Sequence, residues 1–87
     1  MPRTSLFFDS SALYAGIVSP VGAARALLML AEVGRITITI SMQVTVEVER
    51  ALARKAPEAV PYYRQVLKSA RIRVIGDPSP QEVTSYY

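Results

Sequence analysis

Two acidic residues have the type and the placement to do chemistry. Asp9 follows the apolar run Leu6-Phe7-Phe8 and precedes Ser10-Ser11-Ala12-Leu13-Tyr14. That order reads as a buried strand, an acid at its carboxyl end, then a helix start. Ligands of open α/β sheets bind outside the carboxyl ends of the strands, where a carboxylate is held by rigid backbone and faces solvent. Asp is also a favoured helix N-cap, as is Ser, so Asp9 has two readings, cap and cation ligand. The second acid is Glu47, early in a helix expected after the second strand. In a parallel sheet, strand ends and the helix starts that follow them share one end, and Glu47 would lean back over the sheet toward Asp9. Glu49 is an equal candidate by composition, and a solvated helix surface is the alternative reading of Glu47. Two carboxylates are a minimal site for a hard cation, since Mg²⁺ takes oxygen ligands, keeps several waters and commonly uses one or two protein carboxylates. A hydroxyl at Ser10 or Ser11 is placed to hold a water on such a cation.

Composition narrows the chemistry further. The chain has neither histidine nor cysteine. That excludes Ser-His-Asp and Cys-His catalysis, histidine- or thiolate-bound zinc and a disulfide framework within these residues. Carboxylates, hydroxyls, Lys, Arg and Tyr remain. A length of 87 residues sets the scale at one small domain. A hydrophobic content of 51% excludes a disordered chain and is high for so small a domain. Some apolar surface is therefore expected to meet another chain or a further segment. The net charge of +3 suits an anionic partner without specifying one. The longest apolar stretch, Ala26 to Ala31, is too short to span a bilayer, and no secretory leader pattern is present. The expectation is a soluble, cytoplasmic protein with no membrane partner.

The elements that must position the acids are legible in outline. A strand is expected over 5–8 and a helix from Ser10 or Ser11 to about Val18. Ser19-Pro20 reads as the N-cap and first residue of a second helix over Val21 to Val33, with Gly34 as its C′ stop. Every residue from Ile36 to Ile40 is β-branched, which predicts a strand. Apolar residues then alternate without a break from Ile36 to Val48, so one long strand competes with a strand ending at Ile40 and a helix capped by Ser41. The second reading is preferred, because Val44, Val48, Ala51 and Leu52 share a helical face and Glu49 to Lys55 is good helix-forming sequence. A helix follows from Pro57 or Pro61 to Ser69, with Val60, Tyr63, Val66, Leu67 and Ala70 inward. Arg71 to Ile75 alternates charged and apolar residues like an edge strand. A turn at Gly76-Asp77-Pro78 and a capping box at Ser79-Pro80-Gln81-Glu82 open a last helix. The fold class expected is α/β, three layers with a parallel sheet. No dinucleotide-binding or phosphate-loop glycine pattern is present.

The chain resembles the N-terminal part of PIN domains, the fold of VapC-type toxin ribonucleases and related nucleases. The resemblance is carried by Leu6-Phe7-Phe8-Asp9-Ser10-Ser11-Ala12-Leu13, then Gly22 to Leu30, Gly34-Arg35-Ile36, Ile40-Ser41 and Glu47-Val48-Glu49-Arg50-Ala51-Leu52. It covers nearly the whole chain. Each motif is short, and the specificity lies in their order and spacing. It places the family's first acid on Asp9, its hydroxyls on Ser10 and Ser11, and its second acid on Glu47 rather than Glu49. Residues 1–87 then correspond to a single incomplete PIN-like domain, cut after the third strand. The family's further aspartates find no match: Asp77 suits the turn and Glu82 its capping box.

What the resemblance implies is Mg²⁺- or Mn²⁺-dependent hydrolysis of RNA, with Asp9 and Glu47 as catalytic acids and metal ligands. With later acids missing, the metal would bind weakly or not at all, leaving the chain weakly active or inactive. The alternative is an inactive PIN-like binding and oligomerisation module. RNA, an antitoxin protein and further copies of the chain are the implied partners. In that fold the first strand is central, so here it would present an open apolar edge. Arg50, Arg54 and Lys55 cluster at one helix end, and Arg64, Lys68, Arg71 and Arg73 form a second basic group. Both suit phosphate contacts, or are ordinary solvated faces. Tyr14 is placed to stack on a base, although packing is the favoured role for Tyr14, Tyr62 and Tyr63.

Overall fold

The computed structural model describes residues 4–76. The expected turn at Asp77-Pro78 and the capping box at 79–82 lie outside them. The chain order is β1 (Thr4–Phe7), α1 (Ser10–Val18), α2 (Ala23–Glu32), β2 (Ile36–Ser41), α3 (Met42–Lys55), a 3₁₀ turn (Pro57–Ala59), α4 (Val60–Ser69) and β3 (Arg73–Ile75). The strands form one parallel sheet in the order β1-β2-β3. The fold is α/β, as the alternation of strand and helix signals requires.

β2 is the centre of the sheet. Consecutive strand residues point to opposite faces, and Ile38, Thr39 and Ile40 are all buried. Both faces of the strand are therefore covered, the usual state of a parallel sheet. The strand stops at Ser41 although apolar alternation continues to Val48. The Ser41 side chain accepts a hydrogen bond from the Val44 N–H at 3.2 Å and caps α3. Helical spacing then carries Val48 and Leu52 into the core.

Two details depart from the sequence reading. α2 begins at Ala23, not beside Pro20, because Ser19 is used to finish α1. Its N–H donates to the Ala15 carbonyl and its hydroxyl to the Val21 carbonyl. Gly22, at φ 108°, then sets the start of α2. The first strand is also less covered than its apolar run implies. Phe8 is buried, but Phe7 is 73% exposed at the sheet edge.

α1 is fixed along its length. At Gly16 an added Cβ would stand 2.7 Å from Leu28 Cδ1 and 3.3 Å from the Ala24 backbone, so any larger residue would require Leu28 to move and the two helices to ease apart slightly. At its carboxyl end, Arg25 of α2 donates to the carbonyls of Gly16 (2.6 Å) and Ile17 (2.9 Å). A cation there opposes the negative end of the helix dipole. The Arg25 guanidinium also lies 4.5 Å from the Tyr62 ring centre, joining α4 to the same corner. No single helix among the described residues is long and apolar enough to cross a membrane, and α1 and α2 meet at an 85° bend.

Candidate active site

The carboxyl ends of β1 and β2 lie side by side. Phe7 is in register with Thr39. Two residues further along each strand, Asp9 and Ser41 cap α1 and α3. Asp9 Oδ1 accepts the Ala12 N–H at 2.7 Å, so the capping reading of Asp9 holds for one oxygen. The residue stays exposed, and Oδ2 has no protein donor among the described residues.

Glu47 is the sixth residue of α3, roughly 8 Å along the axis from its start. The Ser10 hydroxyl donates to Glu47 Oε2 at 3.1 Å. That bond brings Glu47 to the residue that follows Asp9, so both acids belong to one end of the sheet. The two are joined there by no third acid: no group of three or more Asp or Glu residues able to hold a metal occurs among the described residues. The donor set left over consists of Asp9 Oδ2 and Glu47 Oε1. In number and type these two oxygens match what a well-hydrated hard cation commonly takes from a protein.

Glu49, the equal of Glu47 by composition, has a different role. The Tyr63 hydroxyl donates to Glu49 Oε2 at 3.3 Å, bridging α4 to α3. Burial first, then the Glu49 charge and this hydrogen bond, push the Tyr63 hydroxyl up to about 12. Tyr63, 14 residues downstream and on another helix, carried no sequence signal for this pairing.

An open groove of about 730 Å³ runs from Glu47 along α3. α1 contributes Ser10, Ser11 and Tyr14, while α3 contributes Glu47, Arg50, Ala51, Arg54 and Lys55. Asp9 does not line it. The first basic group thus borders the groove that holds Glu47. The second does not join it: Arg71 and Arg73 line a separate groove of about 620 Å³ beside Glu32 and Thr37, at the start of β2. Arg64 and Lys68 line neither. All three tyrosines are engaged in packing, and the part of half-buried Tyr14 that stays exposed lines the first groove. That groove, with Tyr14 and the cations beside Glu47, follows from how α1 lies against α3 and was not readable from either helix alone.

No family model, curated protein or solved structure matches the chain.

Proposed function

We propose that the chain forms the first part of a three-layer PIN-type domain whose activity is Mg²⁺- or Mn²⁺-dependent hydrolysis of RNA phosphodiesters. The observation that carries this reading is the Ser10–Glu47 hydrogen bond, which puts both acids named by the resemblance at the carboxyl end of the sheet. A divalent cation at such a site supplies charge neutralisation at the phosphate and makes water more acidic. The chain's own residues do the rest. Asp9 offers Oδ2 while Oδ1 holds α1 in place. Ser10 orients Glu47 by fixing Oε2, and Oε1, which has no protein donor among the described residues, would be the oxygen that holds a cation. Ser11, exposed in the groove wall, is placed to hold a water. With two carboxylates the affinity is weak, because each ligand supplies both charge and a coordination position.

The test uses Mn²⁺ as a paramagnetic probe of the 87-residue chain, with cleavage of a single-stranded RNA measured in parallel. Broadening is expected at Ser10, Ser11 and Glu47 and is lost in Asp9→Asn and in Glu47→Gln. Asn caps helices about as well as Asp, so Asp9→Asn removes the charge and leaves the fold. Broadening that is diffuse, or unchanged by both substitutions, overturns the metal reading. RNA binding that persists without metal or cleavage then supports the binding-module alternative.

A further inference from the structure

The α1–α3 groove contains more than the metal chemistry requires. Glu47, Arg50, Ala51 and Arg54 recur at helical spacing and form one wall, with the acid at one end and the cations at the other. Seven residues separate Glu47 from Arg54, roughly 10 Å along the axis. Arg50, Arg54 and Lys55 have no hydrogen bond or ion pair among the described residues, in contrast to Arg25. Arg54 and Lys55 also favour the end of α3 through its dipole, but that does not account for Arg50 in mid-helix or for the aromatic residue opposite.

That residue is Tyr14. Of the described tyrosines, Tyr62 lies under Arg25 and Tyr63 bonds Glu49. Tyr14 packs in part against the core but alone has neither a ring contact nor a hydrogen bond there, and its exposed part lines the groove together with two small side chains, Ala51 and Ala53. The second groove has arginines but no aromatic lining. A π face, guanidinium groups and small opposing residues together match one nucleotide of a single strand, with its base on the ring and its phosphates on the cations.

We infer that Tyr14 is a base-stacking platform that seats one nucleotide of single-stranded RNA in the groove beside Glu47, with Arg50 and Arg54 holding the adjoining phosphates. The inference rests on the RNA reading above but not on the metal.

The experiment is fluorescence anisotropy of the full chain in chelator at low salt. It uses a labelled oligouridylate and an abasic ribose-phosphate oligomer of equal length. Oligouridylate is expected to bind roughly fivefold or more tightly than the abasic oligomer, the scale of one stacked base. Tyr14→Leu keeps apolar bulk without a π face and removes that preference, whereas Tyr14→Phe retains it. Arg50→Ala with Arg54→Ala weakens both oligomers and lowers the salt slope by about 1.4, as loss of two phosphate contacts predicts. Equal binding of the two oligomers by the unaltered chain, or a preference that survives Tyr14→Leu, overturns the platform. Asp9→Asn separates the two ideas, since it removes the Mn²⁺ broadening under the metal reading and leaves this preference intact.

Discussion

Ser10 and Glu47 stand 37 residues apart in sequence and share a hydrogen bond of 3.1 Å at the carboxyl end of the sheet. The bond is exposed, so its net contribution to stability is small, at most about 1 kcal/mol. Its value lies in orientation. A carboxylate fixed at one oxygen presents the other in a defined direction, and loss of such an orienting partner typically costs 10- to 100-fold in metal affinity. Ser10→Ala is therefore expected to leave the melting temperature nearly unchanged and to weaken Mn²⁺ binding about tenfold. A Ser10→Ala chain with unaltered Mn²⁺ affinity would mean that the bond only joins α1 to α3.

The helices before β2 and β3 end in the same motif with different residues. After α2, Gly34 sits at φ 80°, and Arg35 N–H donates to the Leu30 carbonyl. After α4, Arg71 takes the equivalent place at φ 50°, and Ile72 N–H donates to the Leu67 carbonyl. Both are Schellman closures, whose C′ residue adopts a left-handed conformation. That conformation costs a side chain roughly 1–2 kcal/mol and glycine little. Part of the gain on substitution is lost to the greater freedom of glycine in the unfolded chain. Arg71→Gly is expected to stabilise the fold by about 0.5–1 kcal/mol in chemical denaturation. A loss of stability would show that the Arg71 side chain contributes more than its backbone strain costs.

These two closures illustrate what was legible in the sequence. Gly34 announced the end of α2 because glycine is the usual left-handed residue. Arg71 was read as the first residue of the edge strand, which instead begins at Arg73, since arginine reaches the left-handed conformation only when helix and strand on either side impose it. Ser41 was readable as the point where strand gives way to helix, because a side-chain cap is a local interaction. Ser19 misled for the same reason: it is a good cap, but it completes the preceding helix and leaves the start of α2 to Gly22. The acids were nominated by local order, Asp9 after an apolar run and Glu47 early in a helix. Their proximity depended on parallel pairing of β1 and β2. The choice between Glu47 and Glu49 depended on which helix each carboxylate meets, α1 or α4. The Arg25–Tyr62 corner and the Tyr14 groove involve residues distant in sequence and left no periodic trace.

Tyr63 gives the fold a dependence on high pH. Its hydroxyl is raised from the ordinary value near 10 to about 12 by burial and by Glu49. The folded state therefore holds this proton more tightly than the unfolded state. Stability from the group is fully present below pH 10 and is lost as pH rises from 10 to 12. Tyr63→Phe removes the hydroxyl and its bond to Glu49, at a cost of about 1 kcal/mol near neutrality. It also flattens the decline in stability above pH 10. Denaturation at stepped pH, with tyrosinate absorbance compared between the two chains, checks both parts. Equal slopes above pH 10 would assign the decline to other groups.

The edge of β1 is expected to associate with a second copy of the chain. Phe8 N–H donates inward to the Thr39 carbonyl at 3.1 Å. Backbone groups of alternate strand residues point to opposite sides, so the N–H and C=O of Ser5 and Phe7 face outward, where β1 has no neighbouring strand among the described residues. The four residues of β1 carry no charge, and Phe7 is 73% exposed, so this edge lacks the usual protection against pairing. β3, at the other edge, carries Arg73. Proline is tolerated on an edge strand where the N–H faces away from the sheet. Ser5→Pro therefore deletes one outward donor without touching the β1–β2 ladder, and Leu6→Pro, which breaks that ladder, serves as the destabilising contrast. Sedimentation of the unaltered chain should show concentration-dependent association that Ser5→Pro reduces while the melting temperature holds. A monomer at millimolar concentration, or association indifferent to Ser5→Pro, would show that this edge is not the surface through which copies meet.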